Sequence, residues 1–172
     1  MDIYIFGGSG TEKTKNLVLW NNGNGTFRSD ATAGGAPGPA SGHPDTATVA
    51  DFDVDGRVDI LLTFQKSPEG STQLYRNLGN SKENHWLEID LQGTTSNRDA
   101  LGAKVFVTAG GKTQLGAQNG GVHFKWGQND QRLHFGLAAN ALVQEIRVVW
   151  PKGPDTILRN VSTDRVLKIV QG

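Results

Sequence analysis

The sequence predicts an all-β protein of two domains, and three observations support this prediction. Twenty-three glycines, many of them in pairs or turn dipeptides, separate short runs rich in Val, Ile, Leu, Thr and aromatic residues. The first half contains an internal repeat, and the second half alternates apolar and polar residues with a period of two. A chain of 172 residues can bury about 70% of its unfolded surface, which is enough for a substantial core.

The repeat consists of an apolar strand followed by a second strand that ends in a stretch rich in Asn and Gly. Its two copies are "DIYIF" with "LVLWNNGNG" within 2–25, and "DILLTF" with "LYRNLGN" within 59–80. An acidic loop precedes only the second copy, so we expect the first copy to be incomplete and the chain to be a piece of a longer exported protein. The strand at 2–6 then lacks its preceding partner. Because an exposed apolar edge can pair with another chain, this edge is expected to bind a partner or a second copy.

The second half reads as strands whose apolar residues face one core. The expected core positions are Ile89, Leu91, Ala103, Val105, Val107, Phe135, Ile146, Val148, Trp150, Val166 and Ile169. Glu88, Asp90, Lys104 and Arg147 alternate with them and are expected to face water. The segment "NLGNSKEN" is polar and turn-prone, which places a domain boundary near 80–84 and predicts domains at 1–83 and 84–172.

The segment "ADFDVDGRVDI" at 50–60 carries the clearest chemical signal. Its D-x-D-x-D-G-x-x-D spacing offers carboxylates at positions 1, 3, 5 and 9 of a loop, and the glycine at position 6 permits a sharp turn. The carbonyl at position 7 is a further candidate ligand. Hard oxygen donors without Cys or His favour Ca²⁺. The predicted ligands are Asp51, Asp53, Asp55, Arg57 and Asp59; a solvated acidic turn is the alternative.

The loop departs from an EF-hand, because Leu62 stands where the bidentate Glu would be and a strand follows instead of a helix. Together with "LYRNLGN", the loop resembles the FG-GAP or VCBS repeat of calcium-binding β-propellers. Three segments of the second half, "SNRDALGAKVFVTAGGKTQ", "RLHFGLA" and "IRVVWPKG", resemble the ASPIC/UnbV domain. This order is that of cartilage acidic protein-like exported proteins. The resemblance implies partial propeller blades followed by a β-sandwich, and a metal that holds a hairpin and takes no part in chemistry.

Composition excludes several classes of function. Seventeen basic and seventeen acidic residues are scattered along the chain, which argues against nucleic-acid or anionic-lipid partners. No apolar run approaches the roughly 18 residues of a membrane span, so membrane insertion is not expected. No secretory signal is recognisable in this chain. The absence of Cys excludes thiolate metal sites.

The second domain offers a further candidate ligand surface on its loops, because loops on a rigid scaffold commonly carry recognition. It comprises Asn97, Arg98, Asp99, His123 and Trp126. Arg98 and Asp99 could instead form an ion pair that fixes their loop. Trp126 and Trp150 could line a sugar-binding surface, although strand tryptophans more often pack in the core or at an edge.

No nucleophile or acid/base constellation is recognisable, so the chain is not expected to be an enzyme. The sequence predicts a non-enzymatic, calcium-stabilised adhesion or assembly module at an extracellular or cell-surface location. Its partner is expected to be a protein, a glycan or a second copy. The alternatives are a carbohydrate-binding module and an accessory segment of a larger exported enzyme.

Overall fold

The computed structural model describes residues 2–5, 16–38, 43–65, 72–79, 83–120 and 127–172. These residues form thirteen strands and one short 3₁₀ turn, Ala33–Gly35, so the all-β prediction is confirmed. None of the described helical structure has the length or hydrophobicity needed to span a bilayer. The strands are β1 (Ile3–Ile5), β2 (Leu17–Asn21), β3 (Phe27–Asp30), β4 (His43–Ala50), β5 (Asp59–Gln65), β6 (Thr72–Tyr75), β7 (His85–Gln92), β8 (Lys104–Ala109), β9 (Lys112–Ala117), β10 (Leu133–Ala138), β11 (Leu142–Val149), β12 (Thr156–Ser162) and β13 (Arg165–Val170).

The described residues divide into two compact units. The first unit holds those within 1–50 and 59–77 together with Gly127, and the second holds those within 51–58, 78–122 and 128–172. The acidic loop at 51–58 therefore groups with the second unit, although it lies between two strands of the first along the chain. The predicted boundary between residues 83 and 84 stays a prediction.

The first unit contains two antiparallel sheets, β1-β2-β3 and β4-β5-β6. The internal repeat is visible in their register, because Ile3 pairs with Leu19 in one sheet and Ile60 pairs with Tyr75 in the other. The residue just before each pair also plays the same part in both copies. Asp2 Oδ1 accepts the Asn21 amide at 2.8 Å, and Asp59 Oδ1 accepts the Asn77 amide at 2.7 Å. The two copies thus share one strand register and one hydrogen bond from an Asn amide to an Asp carboxylate.

The second unit is a two-sheet sandwich. One sheet has the order β10-β7-β13 and the other has the order β12-β11-β8-β9. Apolar residues from both sheets form a single buried cluster, so the sheets pack against each other across one core. β13 runs parallel to β7, and every other strand pair in this unit is antiparallel.

The predicted core of this sandwich is correct apart from one position, and one polar prediction is wrong. Val166 is 37% exposed, because Leu167 and Ile169 take the inward positions of β13. Glu88 was expected to face water, yet it is only 1% exposed. Glu88 lies on the face of β7 opposite the core residues Leu87 and Ile89. Its burial therefore comes from contacts outside the sandwich core, among them the ion pair with Arg132.

We expect residues 84–172, expressed alone, to fold cooperatively. Every member of the buried cluster of the sandwich lies between Leu87 and Ile169, so the fragment retains its complete apolar core. A urea unfolding curve followed by circular dichroism should show one sigmoidal transition, in calcium and in chelator alike. An unfolded fragment, or one that folds only when calcium is added, would show that the division is wrong.

Candidate metal centre

The acidic loop connects β4 to β5, and Asp51 holds it closed. The Asp51 side chain is 1% exposed, and its two carboxylate oxygens accept the amides of Asp55 at 3.0 Å and Gly56 at 2.7 Å. Hydrogen bonds from backbone amides to an ionised carboxylate are among the stronger ones, and a buried carboxylate needs them. Asp51 is therefore the residue around which the loop turns.

Gly56 occupies a position that no other residue could take without displacing a neighbour. Its φ is +87°, in the left-handed region that side chains disfavour. A Cβ atom built there would lie 2.1 Å from Cδ1 and 2.3 Å from Nε1 of Trp86. The glycine expected from the spacing is thus required both by the turn and by the indole ring packed against it.

Three carboxylates of the loop converge. Asp51, Asp53 and Asp59 each offer an oxygen, and these oxygens lie within 4.8 Å of one another. Asp51 and Asp59 are buried, at 1% and 2% exposure, and Asp53 is more accessible than either. The all-oxygen donor set suits a hard cation such as Ca²⁺, and like charges at this separation repel when no cation lies between them. The residues present therefore fit the metal that the spacing predicts.

Asp55 and Arg57 are placed differently from the other predicted ligands. Asp55 Oδ1 accepts the Arg57 amide at 3.0 Å, and the Arg57 guanidinium forms an ion pair with Asp55 Oδ2. Asp55 is accordingly absent from the converging group of three. Its coordination of a cation, and that of the Arg57 carbonyl, stay predictions.

Four residues that the sequence did not single out surround the loop within the second unit. Trp86 and His134 lie parallel, with an interplanar angle of 2° and ring centroids 6.3 Å apart. His134 Nε2–H donates to the Gly56 carbonyl at 3.0 Å. Arg132 Nη2 lies 3.4 Å from the Asp51 carbonyl, and its Nη1 lies 2.7 Å from Glu88 Oε2. The loop thus has partners on both β7 and β10.

Burial shifts the titration of two of these residues. It raises the pKa of Glu88 to about 7, although the Arg132 guanidinium partly offsets the shift. Asp51 and Asp130 add to it, since each is a further negative charge. Burial also lowers the pKa of His134, which favours the neutral ring that donates one N–H to the Gly56 carbonyl.

The second candidate surface, as far as the structure describes it, is a loop held by hydrogen bonds between its own residues. Asn97 Oδ1 accepts the Leu101 amide at 2.8 Å, and Asn97 Nδ2 donates to the Leu101 carbonyl at 2.9 Å. Asn97, Arg98 and Asp99 are exposed, and no ion pair joins Arg98 to Asp99. His123 and Trp126 lie outside the described residues. Trp150 is 4% exposed in the sandwich core, so it offers no sugar-stacking face.

Gly56→Ala should destabilise the protein more than Gly25→Ala does. The two glycines have φ values of +87° and +84°, but a Cβ at Gly25 would meet nothing within 4 Å. The strained φ should therefore contribute about 1–2 kcal/mol to both losses. The clash with Trp86 should add roughly 1–3 kcal/mol to the first alone. Urea unfolding of the full chain measures both, and equal losses would contradict the packing of Gly56 on Trp86.

Glu88→Gln should remove the contribution of Glu88 to the pH dependence of the free energy of unfolding. The pKa of Glu88 is raised from 4.5 to about 7 in the folded chain, so the folded state retains a proton that the unfolded state releases between these values. The contribution of Glu88 to the free energy of unfolding should therefore fall as pH rises through this interval, and the variant should lack this contribution. His134, whose lowered pKa acts in the opposite direction, is common to both proteins. Urea unfolding at pH 5 and pH 7.5 without calcium measures the difference. Glu145→Gln, at the surface pair with Arg159, is the control, and equal slopes for Glu88→Gln and native protein would contradict the assignment.

Two family models match the chain in succession. The FG-GAP-like repeat matches residues 1–62, a range that includes the whole acidic loop, and the ASPIC and UnbV domain matches residues 93–172. The comparison with individual curated proteins found no match. FG-GAP repeats are typical of extracellular or surface proteins, so the pair of matches indicates an extracellular type of β-repeat module. Residues 1–62 therefore match an FG-GAP-like repeat and residues 93–172 match the ASPIC and UnbV domain, in the order that the motifs predict.

Proposed function

We propose that this chain is a non-enzymatic, calcium-stabilised adhesion or assembly module of an extracellular or surface protein. The observation that carries the proposal is the convergence of the Asp51, Asp53 and Asp59 carboxylates in a loop closed by backbone hydrogen bonds. A cation of this kind supplies positive charge that neutralises the cluster and holds the loop in one conformation. The match to a repeat family that often binds calcium supports the same reading.

The carboxylates accept hydrogen bonds from backbone amides, and this favours a structural role for the cation over a catalytic one. Asp51 binds two loop amides, and Asp59 binds the amide of Asn77 at the end of the neighbouring strand. Groups that hold backbone in place are poorly suited to exchange protons during a reaction. The described His85 and His134 likewise contact Asp164 and the Gly56 carbonyl, as parts of strand and loop contacts.

The edge strand β1 is the part of the first unit best suited to assembly. Its sheet has the order β1-β2-β3, so β1 has a described partner on one side only. Ile3 and Ile5 are 38% and 42% exposed. Such an edge can accept a further strand from a protein partner or a second copy. We propose this edge as the assembly surface.

Calcium should bind the full chain and raise its stability. Extracellular modules of this type have dissociation constants on the order of 10⁻⁴ to 10⁻³ M, so 10 mM calcium should add about 1–3 kcal/mol to the free energy of unfolding. Asp53→Ala should abolish this increment, because it removes one of the three converging carboxylates. Asp53 is chosen because it is more accessible than Asp51 and Asp59, which hold backbone amides. Asp155→Ala, at a surface pair with Arg147, is the matched control.

Isothermal titration calorimetry and melting curves in calcium and in chelator measure both effects. If the native chain gives no calcium heat and no shift in melting temperature at 10 mM calcium, the calcium proposal is wrong. If Asp53→Ala retains the full shift, the cation binds elsewhere.

A further inference from the structure

The acidic loop rests on one face of a β-sheet that contributes none of the converging carboxylates. In β7, Leu87 and Ile89 point into the sandwich core, which puts Trp86 and Glu88 on the opposite face. In β10, Phe135 points into the core and His134 points the other way. His134 is directly opposite Glu88 in the register, so Trp86, Glu88 and His134 form one continuous surface. We call this surface the loop platform.

The loop platform holds the loop through three kinds of contact. The Trp86 indole packs against Gly56 so closely that no Cβ fits between them. His134 donates to the Gly56 carbonyl at 3.0 Å, and Arg132, paired with the buried Glu88, reaches toward the Asp51 carbonyl. These contacts fix the backbone at Asp51 and at Gly56, which Asp51 itself joins by a hydrogen bond of 2.7 Å.

The position of these contacts matters because the closed loop is electrostatically unfavourable without a cation. Three carboxylates whose oxygens lie within 4.8 Å repel one another, which favours loop conformations that separate them. A cation binds only the closed conformation, so its apparent affinity falls with the fraction of molecules in which the loop is closed. Any contact that stabilises the closed loop raises that fraction.

We propose that Trp86, Arg132 and His134 are positioning residues for the calcium loop, and that closure of the loop on the platform is linked to cation binding. This inference rests on the calcium binding proposed above. The linkage is reciprocal: the platform strengthens calcium binding, and calcium in turn stabilises the loop on the platform. The ASPIC/UnbV domain, which supplies Arg132 and His134, thereby helps to set the affinity of a loop that belongs to the FG-GAP-like repeat.

The sharpest test removes the hydrogen bond between His134 and the Gly56 carbonyl, and it uses the full chain. His134→Phe keeps a ring beside Trp86 but removes the N–H donor to Gly56. His134→Gln restores a donor in nearly the place of Nε2 and serves as the rescue. His85→Phe makes the same substitution on β7, at the register partner of Ala138. The His85 ring contacts Asp164 and not the loop, so this variant serves as the control.

Calorimetry with calcium chloride should show affinity about two- to tenfold weaker for His134→Phe, the range expected for loss of one hydrogen bond. His134→Gln should recover most of the loss, and His85→Phe should match the native chain. Amide exchange without calcium should be faster at Asp55 and Gly56 in His134→Phe alone, a change that a general loss of sandwich stability would not confine to the loop.

Unchanged affinity and unchanged loop exchange in His134→Phe, with a native chain that binds calcium, would overturn the inference and leave the calcium proposal standing. A native chain that binds no calcium would overturn both. If His134→Phe does not fold, the double variant Glu88→Gln/Arg132→Met takes its place, since it removes the buried carboxylate of Glu88 together with the guanidinium that pairs with it. Asp130, the other ion-pair partner of Arg132, is partly exposed and keeps access to water in this variant. The same weakening of affinity is expected of it, and native affinity in that variant would again contradict the linkage.

Discussion

The two hydrogen bonds that the amides of Asp55 and Gly56 donate to the Asp51 carboxylate are the constraint on which the rest of the loop depends. They convert a run of acidic residues into a closed turn with its most buried charge already satisfied. In the closed turn, Gly56 packs against the Trp86 ring, and the carboxylates of Asp53 and Asp59 lie close to that of Asp51. The loop's shape and its charge cluster are therefore two results of one local arrangement.

Features that depend on local spacing were predictable from the sequence. The period of two in β7, β8 and β11 located the core of the sandwich, because alternation fixes which residues share a face of a sheet. The repeat was predictable for a similar reason, since two copies of one sequence pattern form the same register. The glycine of the acidic loop was also expected, although its contact with Trp86 was not.

Features that depend on which segments meet were not predictable. Glu88 alternates correctly with its apolar neighbours, but alternation does not reveal whether water or another part of the chain covers the outward face. The contact of His134 with the loop was not predictable, because nothing near His134 in sequence indicates a loop almost 80 positions earlier. Asp55 shows a subtler limit. It has the spacing of a ligand, yet Arg57 two residues later competes for the same carboxylate.

The parallel pairing of β13 with β7 has a consequence for how the sandwich assembles. Leu91 and Ile169 are register partners, although they are 78 positions apart in the chain. The strands between them must therefore be brought together before this sheet gains its third strand, and closing so long a loop costs entropy before any contact repays it. In the other sheet, the pairs β8–β9 and β11–β12 join near neighbours in sequence, and these two hairpins can form earlier. The sheet that carries the loop platform thus contains the pairing of longest sequence separation among the described strands of the sandwich, and β13 is expected to be its last strand to join.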